Sequence, residues 1–100
     1  MSENEKIVIY IKIIGRVQGV WFKGWTMQEA RKLGLSGWVR NVSDGSVEAL
    51  FSGLEDEVNK MLTLCHKGSP SAMVLKVEVQ TITSQTPSFN EGLFVNLPTY

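Results

Sequence analysis

A change of hydrophobic period across a short glycine-bounded segment constrains the fold of this sequence more than any other feature. Residues Ile7–Ile14 are mostly β-branched and almost wholly apolar, which predicts a strand covered on at least one face. The segment Gly15–Gly19 predicts a loop. From Phe22 the apolar residues recur at helical spacing, and Gly34 provides a stop signal. The first structural unit is therefore a strand, a loop and a helix.

The next segment predicts a β-hairpin. Residues 36–42 and 46–51 form two alternating runs of the kind expected for strands. They are joined by Ser-Asp-Gly at positions 43–45, and an Asp-Gly pair between alternating runs is a strong hairpin signal. The order up to this point is therefore strand, helix, strand, strand.

A second helix is predicted after the hairpin. Ser52 and Glu55 have the spacing of a capping box, and an apolar stripe continues to a stop near Gly68. Residues 73–80 then alternate as a strand, and residues 94–97 suit a short final strand after an irregular stretch. The apolar residues of the 73–80 strand are expected to share one face: Met73, Leu75, Val77 and Val79.

This order, β-α-β-β-α-β with an optional fifth strand, predicts an α+β fold of the ferredoxin-like, split βαβ type. We expect a mostly antiparallel sheet of four or five strands with two helices packed on one face. Residues 1–6 are polar and are expected to form a disordered leader, and residues 7–100 a single domain. Many unrelated activities use this fold, so the fold does not define the function.

Composition argues against several classes of function. Ten basic and ten acidic residues cancel, so no long-range field favours nucleic acid or a membrane as a partner. An RNA recognition motif has a similar element order, but its basic-aromatic strand motif is missing. The lone Cys65 and a polar N-terminal segment without signal-peptide character indicate a cytoplasmic protein. With one histidine, one cysteine and no tight carboxylate cluster, we expect no metal site. We also expect no cofactor and a monomeric protein.

Topology brings two polar groups to one edge of the predicted sheet. A strand–helix–strand crossover is right-handed, so the first two strands run parallel and Asn41 ends beside the glycine loop. If Val39 faces the helices, alternation points Asn41 toward the helix start that carries Lys23. Free N–H groups at a helix start bind anions, and glycines let a loop curl around one. Taken alone, however, these glycines favour an ordinary strand-to-helix turn, since isolated glycine motifs are weak signals.

Residues 15–23 read Gly-Arg-Val-Gln-Gly-Val-Trp-Phe-Lys. This segment resembles the acylphosphatase signature, Gly-Arg-Val-Gln-Gly-Val-any-Phe-Arg, and departs from it only at the last position. Residues 37–41, Gly-Trp-Val-Arg-Asn, followed by Asp-Gly-Ser-Val-Glu at 44–48, are similar to the second signature of the family. Residues 68–72, Gly-Ser-Pro-Ser-Ala, are similar to its second-helix exit. The resemblance covers nearly the whole chain from about Ile7 onward.

The resemblance implies an enzyme that hydrolyses the carboxyl–phosphate bond of small-molecule acyl phosphates, without a metal or cofactor. In the family, loop amides hold the phosphate, an arginine at the last motif position clamps it, and an asparagine orients the attacking water. Here the two catalytic roles fall on Lys23, in the place of the arginine, and on Asn41. The phosphate-binding loop is carried over to Arg16, Val17, Gln18, Gly19, Val20, Trp21 and Phe22.

Lys23 is the departure from the family pattern. Arginine can donate two parallel hydrogen bonds to a phosphate, whereas lysine offers one compact charge on a flexible stem. The sequence therefore predicts a working but weakened acylphosphatase, with a catalytically impaired anion-binding module of the same fold as the alternative. Arg16 or Arg40 could supply the missing donor, although alternation points Arg40 away from Asn41. A further alternative is a free-standing relative of the carbamoyl-phosphate-handling domains found in larger hydrogenase maturation proteins.

Overall fold

The chain forms two helices and five strands in the computed structural model, which describes residues 5–100. In chain order the elements are β1 (Lys6–Arg16), α1 (Phe22–Lys32), β2 (Ser36–Asn41), β3 (Val47–Leu54), α2 (Glu55–Lys67), β4 (Met73–Gln80) and β5 (Phe94–Asn96). In the described part of the chain, no helix is both long enough and apolar enough to span a membrane.

The strands form one sheet in the order β4-β1-β3-β2-β5. β1 pairs antiparallel with both β3 and β4, β2 pairs antiparallel with β3, and only β5 pairs in parallel, with β2. Because β1 and β2 both run antiparallel to β3, they are parallel to each other, as the crossover around α1 requires. The ferredoxin-like fold predicted from the element order is confirmed.

One continuous core lies between the helices and the sheet. It contains inward residues of β1, β2 and β3, together with buried residues of both helices. Both helices therefore cover the same face of the sheet. The residues that face this core include Ile11, Ile13, Phe22, Val39, Phe51, Val58, Met61 and Cys65. Val39 belongs to the core, so the face of β2 that it shares by alternation with Asn41 is the face that meets the helices.

Three predicted boundaries are wrong because strand pairing extends beyond the local pattern. β1 continues through Gly15, which was predicted to begin the loop, to Arg16. β1 begins at Lys6, whose partner is Leu54, so Lys6 does not belong to the predicted leader; residues 1–4 lie outside the described residues. The same pairing carries β3 past residue 51 and places Ser52 inside the strand. The helix then starts at Glu55 without a side-chain cap, so the predicted capping box does not form.

The predicted common face of β4 is also wrong. Ile14 pairs with Lys76 whereas Gly15 pairs with Val74, so Leu75 is an extra residue and the strand contains a bulge. The bulge reverses the alternation, which turns Val74 and Val77 toward the core. Met73 and Leu75 are exposed on the opposite face, whereas Val79 shares the face of Val77 and is also exposed on this edge strand.

Candidate active site

The connection between β1 and α1 presents a row of unpaired backbone donors. We call residues 16–22 the anion loop; Arg16 ends β1 and Phe22 begins α1. The N–H groups of residues 17–22 donate no hydrogen bond to any acceptor in the described part of the chain. Val17 and Phe22 are buried in the core, so the loop is anchored at both ends while its amides stay available. Such an arrangement at a helix start is suited to an anion.

The start of α1 favours negative charge for a second reason. Its N-cap residue, Trp21, makes no side-chain capping bond, and the first turn contains no acidic residue. The orphan N–H groups and the positive end of the helix dipole are therefore left without an internal anion. Gly19 has φ 72°, a left-handed conformation that bends the loop as the glycine pattern predicts.

Two side chains brace the anion loop from opposite sides. Gln18 donates from Nε2 to the carbonyl oxygens of Val42 and Ser46, both at 2.8 Å. Ser69, which follows α2, donates from Oγ to the carbonyl oxygen of Val20 at 2.9 Å. The first brace links the loop directly to the residue after Asn41. The loop and the end of β2 are thus held together, as the topology predicts.

Asn41 lies at the end of β2 with a buried acceptor left free. Its Oδ1 atom is shielded from solvent and has no hydrogen-bond partner within residues 5–100. Its backbone is fixed, because its carbonyl oxygen accepts a hydrogen bond from the Tyr100 N–H at 2.9 Å. Burying a carboxamide oxygen without a hydrogen bond costs free energy, so Asn41 Oδ1 is suited to accept a hydrogen bond from a bound ligand or water molecule.

A second buried side-chain oxygen without a hydrogen-bond partner among the described residues lies on α1. Thr26 is fully buried, and its Oγ1 atom likewise has no partner among the described residues. Thr26 is one helical turn after Phe22, the first residue of the helix. The structure gives it no hydrogen bond to the loop, and the bracing hydroxyl is that of Ser69 instead.

Lys23 is the charged residue of the first turn of α1. It is partly exposed, and no carboxylate within residues 5–100 forms an ion pair with it, so its charge is available to an incoming anion. Arg16 is exposed and likewise has no ion pair or side-chain hydrogen bond in this part of the structure. Arg16, the first residue of the anion loop, and Lys23, which follows its last residue, are therefore two cations without an ion pair among the described residues.

The side chain of Arg40 forms contacts away from the anion loop. Its Nε and Nη2 atoms contact Glu48 Oε1 at 2.9 and 2.7 Å, and both side chains are buried. The guanidinium also lies over the rings of Trp38 and Tyr100, at 4.9 and 3.9 Å from the ring centroids. Alternation places this cluster on the sheet face opposite Val39, so Arg40 does not supply the donor that Lys23 lacks.

No three His, Cys, Asp or Glu side chains within the described range are grouped so as to hold a metal ion. The polar groups gathered at this edge are instead backbone amides, one carboxamide and cations. These groups bind and orient a tetrahedral oxyanion, and they can stabilise negative charge that develops on it.

A sequence model described as Acylphosphatase matches residues 9–91. The chain belongs to the acylphosphatase family. The acylphosphatase of Rhizorhabdus wittichii is 43% identical over 95 residues, covering 95% of this chain and 92% of that protein. The acylphosphatase of Rhodospirillum rubrum is 48% identical over 84 residues, covering 83% and 92%. The structure of an acylphosphatase from Coxiella burnetii matches with a TM-score of 0.79 at 30% identity, covering 95% of this chain and 96% of that one.

The acylphosphatase family inferred from the two signatures is thereby confirmed. Sequence reasoning missed two features of the site. The hydrogen bond from Ser69 joins positions 49 residues apart, and the left-handed backbone of Trp21 (φ 61°) has no glycine or asparagine to mark it. A signal for Ser69 was present, because residues 68–72 match a family segment, but that match says nothing of which atom contacts the loop.

Proposed function

We propose that this protein hydrolyses small-molecule acyl phosphates to a carboxylate and inorganic phosphate, with Lys23 and Asn41 as its catalytic residues. The observation that carries the proposal is the unpaired, doubly braced anion loop linked directly to the strand end at Asn41. Membership of the acylphosphatase family supports the reaction class.

The anion loop binds the phosphoryl group. Its amides donate to the phosphoryl oxygens, and Lys23 adds a full positive charge beside them. These donors are in place before the reaction, so they stabilise the charge of the transition state without reorganising. Phosphoryl transfer proceeds through a loose transition state, and positioning plus charge stabilisation therefore supplies most of the catalysis.

Asn41 positions the nucleophile. Its free Oδ1 accepts a hydrogen bond from a water molecule, which turns a lone pair of that water toward phosphorus. The new bond joins the water oxygen to phosphorus, the bond from phosphorus to the acyl oxygen breaks, and the carboxylate leaves with the electron pair. The water proton passes to a phosphate oxygen. A carboxylate is a stable leaving group, so no strong general base is required.

Lys23 in place of arginine weakens this site without disabling it. One charged donor replaces a planar fork, and losing one well-placed donor costs about 2 to 4 kcal/mol of transition-state stabilisation. The rate is then lower by roughly one and a half to three decades than with arginine.

The test is metal-free hydrolysis of acetyl phosphate in excess chelator by the unaltered protein, Asn41→Ala and Lys23→Arg. We expect Asn41→Ala to lower kcat/KM by about 100-fold or more, and Lys23→Arg to raise it by roughly 30- to 1,000-fold. Lys32→Arg, at the other end of the same helix, is the matched control and should change nothing. If phosphate binds but no variant turns over substrate, the anion-binding module replaces this proposal.

We further propose that the protein acts as a monomer in the cytoplasm, with neither nucleic acid nor membrane as a partner. The balanced charge supports this, and so does the lone cysteine, whose free thiol suits a reducing compartment. Sedimentation at micromolar concentration tests the monomer directly.

A further inference from the structure

The proposed reaction leaves one prominent feature of the anion loop unused, the indole of Trp21. This side chain is 60% exposed, whereas tryptophan is ordinarily well buried. Its backbone lies in the left-handed region, at φ 61° and ψ 26°, which a residue with a Cβ atom adopts at a cost. Strained, exposed aromatic residues are uncommon, and here one lies between Val20 and Phe22, whose N–H groups belong to the anion site.

The indole of Trp21 lies against the first turn of α1. A Cβ atom built on Gly24 would lie 2.2 Å from Trp21 Nε1 and 2.8 Å from its Cδ1 atom. Only glycine at position 24 therefore lets the indole lie against the first turn of α1. Glycine in a helix is less favourable than alanine, so the helix gives up stability at the position where the indole is seated.

In this position the Trp21 indole presents a flat apolar surface at the rim of the proposed phosphate site. Lys23 lies between Trp21 and Gly24 in sequence, and the indole packs beside the same helical turn. When the loop holds the phosphoryl group, the acyl group must extend away from it toward solvent. The exposed face of the indole is then the large apolar surface available within the anion loop to contact that acyl group.

We propose that Trp21 is a specificity-determining residue that stacks on the acyl group and favours aryl over small aliphatic acyl phosphates. This inference rests on the proposed function and adds the substrate class. Aromatic rings prefer offset or tilted contacts with another ring and gain from apolar contact, whereas an acetyl group offers the indole a single methyl.

The test compares kcat/KM for benzoyl phosphate and acetyl phosphate in four proteins: unaltered, Trp21→Ala, Gly24→Ala and Leu75→Ala. We expect Trp21→Ala to lower the benzoyl-to-acetyl ratio of kcat/KM by about tenfold. Gly24→Ala keeps the indole but fills the space against the helix that the indole occupies. The benzoyl-to-acetyl ratio should therefore fall, as it does in Trp21→Ala. Leu75→Ala removes another exposed apolar side chain, on β4, and should leave the ratio unchanged.

Trp21→Phe completes the series, because it keeps an aromatic surface and should retain most of the ratio. An unchanged ratio in Trp21→Ala, with acetyl phosphate still hydrolysed, would overturn this inference and leave the proposed function standing. An equal loss for both substrates would overturn it too, and would make Trp21 a support of the loop. Absence of acetyl phosphate turnover in the unaltered protein would instead remove the proposed function and, with it, this inference.

Discussion

A single side chain, Gln18, braces the anion loop, whose proposed contribution to binding comes from its backbone. Its carboxamide donates to two carbonyl oxygens, those of Val42 and Ser46, which flank the turn between β2 and β3. Those carbonyls belong to the hairpin whose first strand ends at Asn41, so one residue orders both halves of the site. The amides of the anion loop need this support, because a donor is useful to a transition state only while it stays in position.

Gln18→Ala is expected to lower both stability and activity. It removes one of the two donors from each of the Val42 and Ser46 carbonyls, which keep the N–H groups of Gly45 and Val42, and the loss of these two hydrogen bonds should reduce the free energy of unfolding by about 1 to 3 kcal/mol. Loss of loop positioning should lower kcat/KM by roughly 100-fold. Urea unfolding and acetyl phosphate kinetics measure the two effects. The exposed Gln28 on α1 provides a matched control, and equal behaviour of Gln18→Ala and Gln28→Ala would contradict the bracing role.

At the scale of elements, the hairpin of β2 and β3 carries different chemistry on its two faces. Arg40 pairs directly with Glu48 across the strands, and their side chains are only 8% and 10% exposed. Arg40 and Asn41 are adjacent residues of β2 that alternate to opposite faces. The hairpin therefore separates a structural ion pair from Asn41, the proposed catalytic residue, by the thickness of one strand.

Removing one member of this buried pair should be strongly destabilising. Glu48→Ala leaves the Arg40 guanidinium buried without a counter-charge, and we expect a loss of about 3 to 5 kcal/mol in the free energy of unfolding. Arg40→Leu combined with Glu48→Leu should lose less than either single change. The exposed pair of Glu57 and Lys60 on α2 is the control, where Glu57→Ala should cost less than about 1 kcal/mol. A loss from Glu48→Ala as small as that of the control would show that the pair is solvated.

The turn of the same hairpin confers a pH dependence on stability. Lys12 donates to Asp44 Oδ2 at 2.8 Å, and the Ser46 hydroxyl and N–H donate to Oδ1 at 2.6 and 2.9 Å. These bonds, that of Lys12 above all, hold the pKa of Asp44 well below its usual value. Because the pKa of Asp44 is lower in the folded than in the unfolded protein, the ionised carboxylate stabilises the fold fully above the unfolded-state pKa of about 4. This stabilisation is lost as the pH falls toward the folded-state pKa.

Asp44→Asn should therefore be less stable than the unaltered protein at neutral pH, and the difference should shrink as the pH is lowered below about 4. Urea midpoints measured across this range test the sign. A difference that stays constant with pH would mean that Asp44 stabilises the turn by shape and hydrogen bonding alone, without its charge.

The elements and the site differ in how far local sequence determines them. β1, α1 and the hairpin follow from alternation, helical spacing and an Asp-Gly turn, since each signal acts within a few residues. The end of β3 and the bulge at Leu75 do not, because they depend on pairing with β1. That Asn41 ends beside the anion loop could be predicted from the handedness of one crossover, whereas the bond from Ser69 to Val20 spans 49 residues and depends on how α2 docks.

At the scale of the whole molecule, the anion loop is attached to the hydrophobic core at both ends and is not an independent segment. Val17 and Phe22 anchor the loop in the same core that contains Cys65 of α2, and the two helices share that core with the sheet. A ligand bound at the loop therefore stabilises the folded state as a unit. Mass action gives the size of that effect, because any ligand that binds only the folded form raises the free energy of unfolding.

Cys65 allows this coupling to be measured from a position remote from the ligand. The thiol is fully buried, and burial raises its pKa to about 12, so a disulfide reagent should modify it only when the protein opens. We expect slow labelling in mildly alkaline buffer and fast labelling in urea. Inorganic phosphate at about 100 times its dissociation constant should slow labelling by roughly 100-fold if labelling requires global unfolding.

Thr63→Cys adds an exposed thiol to the same helix and is the internal control, because it should react at once with or without phosphate. Fast labelling of Cys65 in the absence of urea would mean that α2 opens locally. Slow labelling that phosphate does not change would mean that the opening that exposes Cys65 leaves the anion loop intact, and that core and loop unfold separately. Only slowing by phosphate, confined to Cys65, fits a site that shares one cooperative core with the helix on which that cysteine lies.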